Sequence, residues 1–157
     1  MVEILKNSAS IEDAKIIFKN FAGEEGKFNK AGDRNFCIIL DPDDAIALER
    51  DGYNIKTLKS RNDEDDDVPY LPVAVSYKNV QPNIYLITSS GKTRMTEDTI
   101  SMLDSADIIT ADVVVRPYDW EVNGKTGRKA YAKAMYVTIE EDRFASKYNK
   151  KDGDVPF

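Results

Sequence analysis

Apolar residues in this chain come mostly in short runs or in alternation of period two, punctuated by Gly, Pro and Asp. Ala14 to Phe21, rich in Ile and Phe, predicts a first strand ending at Gly23. Gly26 to Gly32 reads as a polar connection. Asn35 to Leu40 is a continuous apolar run of strand length, the pattern of a strand buried on both faces. Asp41-Pro42-Asp43-Asp44 then opens a helix: Asp41 caps it, Pro42 suits the first helical position, and acids favour the first turn. Gly52 closes that helix as a left-handed cap.

Tyr53 to Leu58 alternates and predicts a strand, and Lys59 to Val68 is a charged loop. Tyr70 to Tyr77 and Ile84 to Thr88 predict two more strands. Thr96 is placed to cap a short helix over Glu97 to Asp104, with Ile100 and Leu103 facing the core. Asp107 to Val122 carries one long strand or two, and Lys129 to Glu140 another. Asn123-Gly124-Lys125-Thr126-Gly127 between them is a hairpin signal. Seven or so strands, two short helices and a long final hairpin describe a mostly β domain, and this spacing suits a small closed barrel of OB type.

Composition narrows the chemistry. At 157 residues the chain is long enough for one domain with a real core. No apolar run has the length of a membrane span, and Met1 to Lys6 lacks a signal-peptide pattern. The lone Cys37, in an apolar run, excludes internal disulfides and reads as a core residue. Histidine is absent, which removes the commonest general base and metal ligand. A cytosolic, non-enzymatic protein without a cofactor fits these features.

The net charge of −6 conceals segregation. Acid concentrates in Asp63 to Asp67 and in Glu140-Glu141-Asp142, whereas Lys125, Arg128, Lys129 and Lys133 occur with no acid between them, and Lys92 and Arg94 form a second pair. A basic strip on an acidic protein suits a binder that keeps most of its surface away from a polyanion.

Binding single strands without sequence preference needs aromatic faces for the bases and cations for the backbone. The final hairpin offers both. Arg116, Tyr118 and Trp120 share one strand face; Lys129, Tyr131 and Lys133 share another, with Ala130, Ala132 and Ala134 suited to the crowded inside of a barrel. A two-residue turn at Asn123-Gly124, or a four-residue loop over Gly124 to Gly127, places both sets on one side; a five-residue loop separates them. Tyr118 and Trp120 fit equally as large members of a small core.

Other candidates are weaker. Gly91-Lys92-Thr93 is not a phosphate-binding loop, because Leu86 stands where the earlier glycine belongs. Ser89 to Arg94 reads instead as a strand-to-helix loop whose Lys92 and Arg94 can hold a DNA phosphate, or are simply exposed. Arg34, Phe36, Lys56, Lys59 and Arg61 are potential extensions of the groove, with Phe36 also a core candidate and Lys59 and Arg61 able to neutralise the acidic loop. That loop lacks the glycine and distant glutamate of a calcium site. A metal-dependent nuclease would need Asp112, Asp119 and Glu121 gathered around Lys129, whereas solvated strand positions explain these acids without any site.

The chain ends in Asp152-Gly153-Asp154-Val155-Pro156-Phe157. A terminal aromatic with its carboxylate can plug an apolar pocket rimmed by Arg or Lys. This ending resembles the C-terminal tip of bacterial and phage single-stranded DNA-binding proteins. The segments Arg34-Asn35-Phe36-Cys37, Ser90-Gly91-Lys92-Thr93-Arg94 and Trp120 to Gly127 are similar in texture to the phage members. The resemblance implies an OB-fold domain over residues 1–146 that coats exposed single-stranded DNA in replication, recombination or repair inside a bacterial host. It also implies a tail over residues 147–157 that recruits replication or repair proteins through Asp152, Asp154, Val155, Pro156 and Phe157.

The family pattern includes a long linker rich in Gly, Pro and Gln; here Phe144 to Lys151 is short and basic, which favours a compact phage protein and leaves a homodimer open. Two further expectations attach to this ending. The acidic loop and the acidic tip can compete with DNA for the basic groove. Alternatively, the chain is an adaptor or a phage inhibitor of a host replication factor that carries the tip without binding DNA.

Overall fold

A computed structural model describes residues 2–60, 67–78 and 80–141. Arg61, most of the acidic loop, and the tail with its terminal Val155-Pro156-Phe157 lie outside the described residues.

Nine strands and one α-helix are described. In chain order they are β1 (Val2–Leu5), β2 (Ser8–Asn20), β3 (Arg34–Ile39), α1 (Pro42–Arg50), β4 (Lys56–Leu58), β5 (Val68–Val75), β6 (Asn83–Thr88), β7 (Gly91–Met95), β8 (Ile108–Val122) and β9 (Lys125–Ile139). Strand β5 pairs with β3, β3 with β2, β2 with β8 and β8 with β9. The ring closes where β9 returns to β5 in parallel, at Val73↔Ala130 and Ala74↔Tyr131. This closed five-stranded ring is an OB-fold-like small barrel. Beyond the β5 contact, β9 pairs in parallel with β6 from Asn83↔Ala134 to Ile87↔Thr138, so two strands share one edge of β9 in succession.

Closure of so small a ring demands sharp coiling, which bulges provide. In β2 the register shifts beside Asp13 and Phe18, both with φ near 51°. In β9 it shifts between the pairs Val115↔Ala132 and Val114↔Ala134, leaving Lys133 as the extra residue. Ala130 and Ala132 therefore face inward as expected, but Ala134 does not: past the bulge the inward positions are Met135 and Val137.

The barrel interior is apolar throughout. Phe21 and Phe36 stack with centroids 5.3 Å apart, among the buried Ile38, Leu71, Val73 and Val113. Full burial of each such side chain stabilises by about 1.5–3 kcal/mol. Phe36 is thus core, while Cys37 on the opposite face of β3 is only half-buried; β3 alternates and is not buried on both faces.

Helix α1 begins at Pro42 and ends in a Schellman arrangement. Gly52, at φ 99°, donates to the Glu49 carbonyl and Tyr53 donates to Leu48, whose side chains at 48 and 53 are both buried. The Asp41 side chain makes no capping hydrogen bond. Tyr53 to Ile55 are not strand, although Tyr53 forms an isolated bridge with Arg128; the strand starts at Lys56. The predicted second helix is shorter, a 3-10 turn over Ile100–Asp104 with Ile100 and Leu103 buried as expected. Its Asp104 carboxylate accepts the Phe21 and Ala22 amides at 2.7 and 2.9 Å, fixing the end of β2. Ser89 to Arg94 is not a strand-to-helix loop: Ser89 and Ser90 turn a hairpin, and β7 follows directly.

Candidate nucleic-acid interface

The final hairpin turns in two residues. Asn123 (φ 51°) and Gly124 (φ 78°) occupy the left-handed positions of a type I′ turn, and Val122 pairs with Lys125. Of the three turn lengths the sequence allows, this is one of the two that bring the predicted faces together. Arg116 stands opposite Tyr131, and Tyr118 opposite Lys129. The Arg116 guanidinium lies 4.8 Å and the Lys129 ammonium 5.1 Å from the centroid of Tyr131. Tyr118 meets Tyr131 edge-on at 6.0 Å and is 53% exposed, so it is not core. Trp120, 38% exposed, leans on Gly127 across the pair.

Beside this cluster runs an open groove of about 760 Å³ across the outer face of β3, β5 and β9. Its floor follows from the pairing: Asn35, Ala74 and Tyr131 form one row, and Cys37 with Pro72 the next. Small side chains keep the floor low while Tyr70, Tyr77, Tyr131, Trp120 and Phe28 line it. Lys56, opposite Tyr70, and Lys129 bring positive charge along one stretch; Arg34 and Lys78 do so at another.

Burial pushes the Cys37 thiol up to about 11 against the opposing pull of Lys56, so the groove floor carries a neutral thiol. At the far end Arg34 lies 5.8 Å from the Tyr77 ring and 3.7 Å from the Glu97 carboxylate. Burial raises the Tyr77 phenol. Arg34 Nε and Tyr77 Oη are buried with no hydrogen-bond partner among the described residues.

The predicted residues do not all converge. Arg128 borders the groove but belongs to the opposite strand face. Its guanidinium holds Asp119 through two hydrogen bonds (2.7 and 3.1 Å) and Asp51 at 3.1 Å, and it lies 5.6 Å from the Tyr53 ring. These contacts tie the hairpin to the end of α1, a structural task that occupies the cation. They hold the Asp119 carboxyl below its ordinary range. Lys125 sits at the exposed tip of the hairpin, and Lys133 in the bulge, out of register with Tyr131. Lys92 and Arg94 lie on β7, outside the groove lining. Lys59 pairs with Asp67 at 3.2 Å. The carboxylates of the nuclease alternative stay apart: Asp112 stands opposite Tyr136 while Asp119 is held by Arg128.

Sequence reasoning passed over Phe28, Tyr70, Tyr77 and Lys78. Tyr70 heads the alternation Tyr70, Pro72, Ala74, Ser76, whose small members form the groove floor, and that alternation is a legible signal. Phe28 is 93% exposed in the β2–β3 connection. The loop is well braced: the Asn29 amide donates to the carbonyls of Glu24, Lys30 and Asp33, and its oxygen accepts from Asn35. This hydrogen-bonded loop therefore carries an exposed apolar ring at the groove.

A family model described as a putative phage ssDNA-binding domain matches residues 1–157. The chain belongs to this family. Among solved structures, the single-stranded DNA-binding protein of bacteriophage Enc34 in complex with ssDNA aligns with a TM-score of 0.54 at 8% identity, covering 90% of this chain and 96% of that one. A second structure of the Enc34 protein aligns with a TM-score of 0.52 at 10% identity, covering 98% and 93%. At these identities the likeness is one of fold. No curated protein matches the chain. As in the sequence, no helix among the described residues is long and apolar enough to cross a membrane.

Proposed function

We propose that the protein binds single-stranded DNA, without sequence preference, along the groove over β3, β5 and β9. The arrangement of Tyr131 carries this reading. Its ring sits on the outer face between the Arg116 and Lys129 cations, at the end of the Asn35–Ala74 row of the groove floor. Bases stack on Tyr131, Tyr118 and Trp120, each contributing about 1–3 kcal/mol. Lys56, Lys129, Arg116 and Arg34 neutralise the backbone. Membership of a phage ssDNA-binding family, and a solved Enc34 complex with ssDNA on the same fold, support the reading. The work is binding rather than catalysis and requires no cofactor.

The biological setting we infer is phage replication, recombination or repair in the host cell. There Asp152, Asp154 and Val155-Pro156-Phe157 recruit partner proteins from a tail beyond the barrel. The supporting feature is the sequence of that tail: Asp152 and Asp154 followed by Val155-Pro156-Phe157. Without DNA, the same acidic ending competes for the groove, so deleting Asp152 to Phe157 tightens DNA binding; unchanged or weaker affinity contradicts that competition.

Anisotropy of a labelled oligo-dT tests the groove. The double variant Lys56→Glu/Lys129→Glu is expected to weaken binding at least tenfold and to flatten the logarithmic salt slope by about 0.7 for each phosphate no longer neutralised. Full affinity in that variant overturns the assignment of the groove.

A further inference from the structure

A second aromatic and cationic surface lies outside the groove, on the outer face of β6, β7 and β9. Tyr85 and Tyr136 are direct cross-strand partners with rings nearly parallel, centroids 5.4 Å apart and planes 13° apart. Lys92 reaches over this pair, 4.6 Å from the Tyr85 centroid and 6.0 Å from that of Tyr136. Arg94 stands opposite Tyr85 on β7. Tyr136 is 41% exposed, and Lys92 and Arg94 are exposed. Core packing does not explain the arrangement, because the inward residues of these strands are Ile84, Leu86, Met95, Met135 and Val137.

The bulge at Lys133 explains how this surface relates to the groove. Tyr131 and Tyr136 are five positions apart, an odd separation that would send them to opposite faces of a regular strand. The extra residue restores parity, so both rings face outward on β9. Tyr131 borders β5 and Tyr136 borders β6, the two strands that follow each other along the same edge of β9. A continuous strip therefore leads from the groove to the tyrosine pair, about 16 Å along the strand.

We propose that Tyr85 and Tyr136, with Lys92 and Arg94, form a second stacking platform that engages a single strand after it leaves the groove. This rests on the groove reading above and extends the footprint along β9. Parallel aromatic rings attended by exposed cations suit a nucleobase and its phosphate. Asp112 stands opposite Tyr136 on β8, and the Glu141 carboxylate accepts from Ser89 in the β6–β7 turn, so acids border the platform on those two sides.

The test compares oligo-dT of about 6 nucleotides, which the groove alone accommodates, with one of about 20. In the double variant Tyr85→Ala/Tyr136→Ala, affinity for the long strand should fall about tenfold while the short strand binds as before. Tyr85→Phe/Tyr136→Phe, which keeps the rings, should retain full affinity for both. Equal binding of the long strand by the alanine variant and the unmodified protein overturns the platform. So does an equal loss for both lengths, because that reports damage to the barrel or the groove. Failure of the unmodified protein to bind either strand sinks the groove reading itself, and the platform with it.

Discussion

The indole of Trp120 rests on Gly127, its direct partner across the final hairpin. A Cβ at position 127 would stand 2.6 Å from Cε2 and 2.8 Å from Nε1 of the ring, inside any tolerable contact. Gly127 is therefore present for close approach and not for its backbone angle; the turn itself is made by Asn123 and Gly124. The contact holds an otherwise exposed ring at the border of the groove, and Gly127→Ala should push it away. The expected result is a shift of the tryptophan emission and a loss of about 1–3 kcal/mol in ssDNA binding, the range of one stacked base. Unaltered affinity with a shifted emission would show that the position of Trp120 is not used.

Arg128 should separate stability from binding. Its contacts to Asp119 and Asp51 hold the hairpin to α1, so Arg128→Ala should lower Tm by about 2–4 °C at neutral pH. The Asp119 carboxyl is held low in the folded protein, chiefly by the Arg128 hydrogen bond. Its contribution is accordingly present above the ordinary carboxyl range, near pH 4, and lost as pH falls through the lowered folded value. The Tm gap between the two proteins should close in acid. A gap independent of pH would mean that Asp119 is not the partner that matters.

Cys37 offers a chemical footprint of the groove. It is the sole cysteine, lines the floor, and has a thiol raised to about 11. Modification by a thiol reagent should be slow at neutral pH and accelerate as pH rises towards that value. Saturating oligo-dT should protect it further. Equal rates with and without DNA would place the strand elsewhere.

Phe28 is the simplest aromatic to remove. At 93% exposure it contributes little to the core, so Phe28→Ala should leave Tm within about 1 °C. If the ring stacks on bound bases, affinity for oligo-dT should nevertheless fall by about 1 kcal/mol or more. A matching loss of Tm and affinity would assign Phe28 to loop packing instead.

The barrel was legible because its elements follow local rules. Pro42 and Gly52 bracket α1, Asn123-Gly124 makes a two-residue turn, and the turn alone brings Tyr131 opposite Arg116. What the sequence hid is non-local. The bulge that frees Lys133 and turns Ala134 outward depends on ring closure, which no window of residues reports. Arg128 reads as one more cation of a basic strip until Asp51 and Asp119 are seen to surround it. Strand β7 was obscured because Gly91 to Met95 has only one buried residue and so no alternation to detect. Tyr85 and Tyr136 come from strands far apart in sequence, and nothing in either strand announces the other.

Because Trp120 is the only tryptophan, its fluorescence is the most direct reporter of strand binding at the hairpin. Titration with oligo-dT at low and moderate salt should give saturable quenching whose midpoint moves to higher DNA concentration as salt rises. No change in fluorescence, together with unchanged anisotropy of a labelled strand at low salt, would contradict single-stranded DNA binding by this protein.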